Sequence, residues 1–347
     1  MTRRNALVAI LLLTLGLPIS YGGSNQSDKL VWSVLAEICR RPAVRATGPD
    51  TSVGWRLWVT QGELYPGPPP SSPPSAASFN TFRPLACKPP VQQSLPALRE
   101  PKQTVDGQAP CEVVWLNGPA AGYILTNRLY SRVNLINMAT SQGGVHFPSG
   151  GANPAREIKT EWRLISPSQL GGYIVAADKA GNSYGLVAIH LMTHEAVQWT
   201  WSTWIHSDYV KYVDKSFMRD SFGVAANGGV SGPLKQLLES GNEAFLENYL
   251  LIGSQTGLFD PKYLSNPMME GPGYKSYSCI GCHTFSAIDA HGNWPSPPPA
   301  SLVGATAHLP HGRYPVDFDF SLTAMSKCGA GTTSVVALCN DIVLVGQ

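Results

Sequence analysis

The stretch Glu157-Ile-Lys-Thr-Glu-Trp-Arg-Leu-Ile165 alternates polar and apolar side chains, which is the pattern of a β-strand with one buried face. Three more stretches rich in Val, Ile, Thr, Trp or Tyr follow it, each bounded by Gly, Asn or Pro: Tyr173 to Ala177, Ser183 to His194 and Gln198 to Asp208. We predict an antiparallel sheet. Its last two strands should form a hairpin that turns at Glu195-Ala196-Val197.

Helical patterns lie on both sides of these strands. Lys29 to Arg40 has the apolar spacing of a short amphipathic helix, and Pro233 to Ser240 and Asn242 to Ile252 look helical, with Asn242 placed to cap the second. The fold class predicted is therefore α+β, with a β-rich antiparallel core, short helices and long irregular loops.

The composition describes a folded protein with many turns. Of 347 residues, 43% are hydrophobic and 14% are charged, while Gly (34) and Pro (29) are both abundant. A Pro-rich run over residues 65–75 and a shorter one over 294–301 should be exposed loops. The net charge of +2, without any dense Lys/Arg cluster, argues against nucleic acid as a partner.

The N-terminus has the pattern of an export signal. Arg3 and Arg4 precede an apolar run from Ala6 to Leu17, and the small residues Ser20 and Gly22 suit a signal peptidase. The run is shorter than the ~20 residues that span a bilayer. We expect a signal peptide over residues 1–22, no stable membrane span after cleavage, and a periplasmic or secreted bacterial protein.

Seven cysteines fit an oxidising compartment, in which some should pair. Cys328 and Cys339 are close in sequence and make the first candidate for a disulfide, and Cys87 and Cys111 make the second. Cys39 then remains as a buried core thiol.

The remaining two cysteines belong to Cys279-Ile-Gly-Cys-His283. Two thiols at this spacing can add to the two vinyl groups of a haem, and a His directly after the second can reach the iron as the proximal ligand. A thioredoxin-like pair needs a βαβ context and no His, and a zinc site needs a second Cys/His pair at finger-like spacing. The motif therefore predicts one covalent haem c, held by Cys279, Cys282 and His283.

The position of the motif predicts how the haem is enclosed. Only a short, Pro-interrupted tail follows Cys282, and such a tail cannot bury a porphyrin by itself. The upstream sheet and helices should supply the pocket, so residues 23–347 are expected to form a single integrated haem c-binding domain with the haem attached near its C-terminal part.

The sixth iron ligand decides between electron transfer and ligand chemistry. A period of two puts His190, Met192 and His194 on one face of a strand, beside a second strand that carries His206. The surface of these two strands would also be aromatic, because it would include Trp199, Trp201 and Trp204. His190 ranks first as distal ligand, His206 second and Met325 third; each His taken singly also suits ordinary packing. Other His and Met side chains near the motif are His291, His308, His311, Met268 and Met269.

Several stretches resemble a poorly characterised group of bacterial exported cytochrome c family proteins. The likeness covers most of the mature chain, in the segments Val53–Glu63, Ile158–Leu164, Tyr184–His190, Trp199–Trp204, Tyr249–Gln255, Leu264–Glu270 and Ser278–His283. It implies one haem c, export and a single integrated domain, but no reaction. After Trp204 the group has Phe-Glu-His/Gln-Val-Asp where this chain has Ile-His-Ser-Asp, a departure that favours His190 over His206.

Two functions remain open at this point, besides a structural or sensing use of the haem. An exported mono-haem cytochrome would pass single electrons to or from a periplasmic redox partner protein. A haem enzyme of peroxidase or oxidase type would need an open distal site, where Arg163, Arg219 and His194 could do acid–base work.

Overall fold

The computed structural model describes residues 24–42, 50–65, 82–86, 111–195, 199–256, 261–284, 286–293 and 312–317. This part of the chain is α+β, with a mostly antiparallel sheet and short helices, as predicted. Its strands are β1 (Val59–Thr60), β2 (Cys111–Leu116), β3 (Arg156–Leu164), β4 (Val175–Ala177), β5 (Ser183–Thr193), β6 (Thr200–His206), β7 (Tyr249–Gln255), β8 (Ala287–Asp289) and β9 (Arg313–Pro315). Its α-helices are α1 (Ser24–Cys39), α2 (Gln61–Leu64), α3 (Gly118–Thr126), α4 (Arg132–Gln142), α5 (Gly232–Gly241), α6 (Pro267–Glu270) and α7 (Cys279–His283).

Seven strands form the main sheet in the order β1-β2-β3-β5-β6-β7, with β4 paired to β5 at one end. All pairs are antiparallel, and the predicted strands within residues 157–208 are confirmed as β3 to β6. β5 and β6 pair side by side as the predicted hairpin requires, although residues 196–198 of its turn lie outside the described part. β8 and β9 form a separate two-stranded ladder.

The central strands are buried on both faces. Five tryptophans belong to a core on one face, which we call the tryptophan face: Trp32, Trp55, Trp115, Trp162 and Trp204. The opposite face packs against a second core that contains Met192, Trp201, Met268, Met269 and Ile280; we call it the motif face because the Cys-Ile-Gly-Cys-His helix lies on it. Alternation along each strand therefore sends neighbouring residues to two different cores.

The three tryptophans predicted to share one aromatic surface are divided between these two faces of the sheet. Trp199 and Trp201 lie in the core of the motif face, whereas Trp204 lies in the core of the tryptophan face. Trp201 and Trp204 are three positions apart in β6, so a period of two points them in opposite directions. The prediction that all three share one surface is wrong.

The N-terminal helix covers the tryptophan face. The predicted amphipathic segment 29–40 lies within α1, and its apolar side includes Cys39, which is fully buried and has a free thiol, as predicted. Burial raises the pKa of Cys39 above its usual range. At the other end of the helix, Asp28 is buried and accepts hydrogen bonds from the Ser221 backbone N–H (2.8 Å) and the Ser254 hydroxyl (2.6 Å).

One helix prediction is wrong. The segment from Asn242 to Ile252 is a short 3₁₀ turn over Ala244–Asn248 followed by strand β7. Asn242 has positive φ (65°) and ends α5 instead of beginning a second helix. β7 pairs with the edge of β6, and this pairing and burial on both faces outweigh the local helical pattern.

Several other predictions concern residues outside the described part. These are the signal peptide over 1–22, nearly all of the loop over 65–75, the loop over 294–301, and the cysteines Cys87, Cys328 and Cys339. Cys111 is disulfide-bonded, and its pairing with Cys87 stays a prediction. Within the described residues, no helix is both long enough and apolar enough to cross a membrane.

Arg56 is a buried charge within the tryptophan face. Its guanidinium lies 5.2 Å from the ring centre of Trp115 and 5.6 Å from that of Trp162, and it is fully buried. One Nη forms an ion pair with Asp50 (3.0 Å) and donates to the Arg83 carbonyl (2.9 Å). Burial lowers the pKa of Arg56, and Asp50 opposes that effect. The arginine thus joins two distant loop segments to the aromatic core.

Arg56→Met should lower the free energy of unfolding by about 3 kcal/mol, because the substitution leaves Asp50 without its buried partner. Adding Asp50→Asn should recover part of the loss, since the isolated charge is then removed as well. Urea unfolding followed by tryptophan fluorescence measures both changes. Lys235→Met is the control: its pair with Glu239 (3.8 Å) is exposed, so it should cost below about 0.5 kcal/mol. Equal losses for Arg56→Met and Lys235→Met would contradict the assigned role of Arg56.

Candidate haem attachment site

The Cys-Ile-Gly-Cys-His motif forms one short helix. α7 begins at Cys279 and ends at His283, so the two cysteines lie three residues apart on the same side of a helical turn. Ser278 precedes the helix and accepts a hydrogen bond from the Gly281 backbone N–H through its hydroxyl (3.1 Å). The local sequence therefore fixes the spacing of the two thiols and the position of the imidazole after them.

Gln255, the last residue of β7, ties this helix to the sheet. Its side chain is fully buried, and its amide nitrogen donates to the Ser278 hydroxyl (2.9 Å) and to the Pro261 carbonyl (2.6 Å). Its amide oxygen accepts from the Ile280 backbone N–H (3.0 Å). One amide thus holds the cap residue and the first turn of α7, because its donor and its acceptor ends are both used.

The two ends of the loop from Leu264 to Ser278 are hydrogen-bonded to each other. Leu264 and Ser278 form a parallel β-bridge, and the Cys279 backbone N–H donates to the Leu264 carbonyl (3.0 Å). Within the loop, the fully buried Asn266 donates to the Thr203 hydroxyl and to the Trp204 carbonyl, both at 2.9 Å. The loop, which includes α6, is therefore held directly on β6.

Both motif cysteines have free thiols and are half-buried. Burial and, to a smaller extent, the negative charge of Glu270 raise the pKa of Cys282 to about 12; burial and Glu270 also raise the pKa of Cys279. A redox-active Cys-x-x-Cys pair has the opposite property, a lowered thiol pKa. The environment therefore suits thiols that stay protonated rather than a dithiol that cycles through a disulfide.

His283 lies against the aromatic surface of the motif face. Its ring centre is 5.8 Å from that of Trp201, at an interplanar angle of 54°, and the imidazole is half-buried. Two free thiols one helical turn apart, followed by a His, are the donor set that covalent haem attachment requires. The residues present therefore fit a haem c. Among the described residues, no group of three or more His, Cys, Asp or Glu side chains has the arrangement of a metal site.

His190, the first-ranked distal ligand, is on the motif face but is already hydrogen-bonded. Its Nε2 lies 3.0 and 3.2 Å from the two carboxylate oxygens of Glu270. A carboxylate only accepts, so Nε2 carries the hydrogen in this contact. Nδ1 is buried and has no hydrogen-bond partner within the described ranges. A hydrogen bond of this kind to a charged group contributes about 1.5–3 kcal/mol.

Further charged side chains lie beside this pair on the motif face. Lys159 is directly opposite His190 across β3 and β5, and its Nζ is 3.2 Å from Glu112. Although burial opposes the charge on Lys159, Glu112 and Glu270 raise its pKa. Burial likewise opposes the charge on Glu270, but His190 and Lys159 lower its pKa. The hydrogen bond from His190 and the charge of Lys159 therefore favour the ionised form of Glu270.

Two more residues extend this charged group along β3. Glu161 and Arg163 are almost fully buried and form an ion pair at 2.6 Å. Alternation along the strand puts them on the same face as Lys159. Arg163, named from the sequence as an acid–base candidate, is therefore committed to a buried carboxylate.

Among the described candidates, His206, His194 and Arg219 make their contacts with other residues than the motif. His206 is buried, its Nε2 is 2.9 Å from the Gly172 carbonyl, and its ring stacks on Tyr173 at 3.8 Å; burial lowers its pKa. His194 stacks on Trp199, and Arg219 is exposed near Phe217. Met268 and Met269 are buried in the core of the motif face, and His291 is exposed. Met325, His308 and His311 lie outside the described residues.

Sequence reasoning missed three residues that shape the site: Gln255, Lys159 and Glu270. Gln255 and Glu270 close two of the stretches that carry the family resemblance, yet nothing in their local pattern marks a contact with the motif. Lys159 lies at a polar position of an alternating strand, which predicts a solvated face. Its face is instead covered by α6 and α7, because the sheet is buried on both sides.

Glu270→Gln should make the motif thiols more reactive in the haem-free chain, because removal of the negative charge lowers the pKa of both cysteines. Below the pKa the thiolate fraction changes tenfold per pKa unit, so alkylation by iodoacetamide at pH 9 should accelerate roughly threefold or more. Mass spectrometry of Cys279 and Cys282 measures the rate. Glu239→Gln, which removes an exposed carboxylate paired with Lys235 on α5, should leave the rate unchanged. No acceleration in Glu270→Gln would show that burial alone suppresses the thiolates.

Comparisons with family models, curated proteins and solved structures found no match to this chain.

Proposed function

We propose that this chain is an exported mono-haem c-type cytochrome that transfers single electrons with a periplasmic redox partner protein. The observation that supports it best is α7, which presents two free thiols one turn apart and a His directly after the second. When bound, the haem supplies an iron centre that gains and loses one electron. The export pattern over residues 1–22 and the resemblance to exported cytochrome c family proteins support the location.

In this proposal the motif residues hold the haem. Each thiol of Cys279 and Cys282 adds across one vinyl group: a carbon–sulfur bond forms at one vinyl carbon and the thiol hydrogen goes to the other. His283 would hold the iron through its imidazole. Gln255 and Ser278 keep α7 in one orientation through the hydrogen bonds described above, and Trp201 packs beside the imidazole.

Cys282→Ala should abolish attachment through two thioethers while leaving Cys279 for a single one. The protein is produced with its signal peptide in a bacterial host that has cytochrome c maturation, and covalent haem is read from haem staining after denaturing electrophoresis and from the pyridine haemochrome spectrum. Cys39→Ala is the matched control, because that thiol is buried on the opposite face of the sheet and should leave attachment intact. A wild-type protein that is purified colourless from this host would refute the proposal.

A second candidate function has one specific observation in its favour. His190 Nε2 is occupied by Glu270, so this imidazole does not present that nitrogen to an iron. An iron without a sixth protein ligand would bind small molecules, as a haem enzyme of peroxidase or oxidase type requires. In that case His190 and Glu270 would form an acid–base pair next to the open position.

Carbon monoxide distinguishes the two functions. For electron transfer we expect a low-spin spectrum of the reduced protein that does not respond to carbon monoxide, since both axial positions are filled. A high-spin spectrum that shifts when carbon monoxide is added would favour the enzyme. The spectrum of the reduced wild-type protein with and without the gas is the measurement, and an unfolded, base-treated sample gives the reference for a fully accessible haem.

A further inference from the structure

Glu270 holds the side chain that the sequence marks first as a distal ligand. We propose that Glu270 is a positioning residue that keeps His190 hydrogen-bonded to its carboxylate and so keeps this imidazole off the haem iron. This inference rests on the proposed haem attachment at Cys279, Cys282 and His283. It follows from the placement of both partners, from the charges around them and from their closeness to the motif.

Each partner of the pair is fixed by a separate element. His190 lies in the middle of β5, hydrogen-bonded between β3 and β6. Glu270 ends α6, and one of its oxygens also accepts the Asn266 backbone N–H (2.7 Å). Asn266 in turn binds Thr203, which is the β6 residue paired with His190. The loop that carries Glu270 is therefore in register with His190, and neither can shift alone without breaking other hydrogen bonds.

The surrounding charges favour an ionised carboxylate at this point. Lys159 lies opposite His190 in the sheet and acts on Glu270 electrostatically, while its own closest carboxylate is Glu112. Glu161, also near Lys159, is paired with Arg163. Glu270 is the carboxylate that accepts from His190 Nε2, at 3.0 Å, and an anionic acceptor makes the stronger hydrogen bond.

The pair is close enough to the motif to matter for ligation. Glu270 acts electrostatically on both motif thiols. His190 and Met192 share the motif face, and Met192 is paired across the sheet with Trp201, which contacts His283. Without Glu270, the His190 imidazole would lose the hydrogen bond at Nε2, and Nδ1 has no partner within the described residues to compensate. A free, half-buried imidazole beside the haem is a strong iron ligand.

The test compares four forms of the holoprotein: wild type, His190→Ala, Glu270→Ala and the double variant. Axial ligation is read from the optical and electron paramagnetic resonance spectra of the oxidised protein. We expect His190→Ala to have the wild-type spectra. Glu270→Ala should gain a low-spin component that the wild type lacks, because the released His190 would compete for the sixth position whether that position is open or held by another side chain. The double variant should lose that component. Glu239→Ala, which removes an exposed carboxylate paired with Lys235 on α5, should leave the spectra unchanged.

Two results would overturn the inference. A changed spectrum in His190→Ala alone would show that His190 is an iron ligand in the wild type, with Glu270 supporting it. Unchanged spectra in Glu270→Ala would show that the carboxylate does not keep His190 away from the iron. If Glu270→Ala does not accumulate, Glu270→Met keeps the side-chain length without an acceptor oxygen and answers the same question. Failure of the proposed function looks different, since no form of the protein would then retain haem after denaturing electrophoresis.

Discussion

Burial of the central strands on both faces is the constraint on which the rest of the structure depends. In β3, β5 and β6, alternate residues point into two different cores. The register of each strand therefore decides which core each of its side chains enters. A slip of one residue in register would exchange the tryptophans of one face for the charges of the other. The strand order and the two β-bulges, between Glu161 and Trp162 and between Thr203 and Trp204, therefore determine where His190 and Trp201 point.

The two faces of the sheet carry different kinds of buried side chain. The tryptophan face is closed by α1 and contains one buried arginine held by Asp50 and aromatic rings. The motif face carries an extended charged group instead, formed by Glu112, Lys159, Glu161, Arg163, His190 and Glu270. Ion pairs of this kind add little net stability compared with apolar residues of the same volume, since desolvation offsets their attraction. They lie on the face that carries α7, where Glu270 and Lys159 act electrostatically on the Cys279 thiol.

The sequence pattern was sufficient for the elements that follow a simple period. Alternation identified β3 to β6, and apolar spacing identified α1 and α5. The motif itself was readable because its thiols and imidazole are neighbours in the chain. Prediction failed where a long-range contact decides the structure. Tyr249 to Ile252 is a strand because it pairs with β6. Trp204 points away from the motif face because the opposite face of the sheet is also buried. The role of Glu270 could not be predicted from the sequence, because its hydrogen-bond partner His190 is eighty residues away.

Electrostatics connects the thiols to the iron chemistry proposed here. Lys159 with Glu112 and Arg163 with Glu161 form ion pairs, and Glu270 is a carboxylate that acts electrostatically on both motif thiols. That charge disfavours a thiolate at Cys279 and Cys282, which is why it raises their pKa. By the same Coulomb interaction it favours the more positive, oxidised state of an iron held at His283. One carboxylate would thus keep the thiols protonated before attachment and lower the reduction potential afterwards. In the proposed cytochrome, Glu270 would therefore act on the chemistry of the motif as well as on the position of His190.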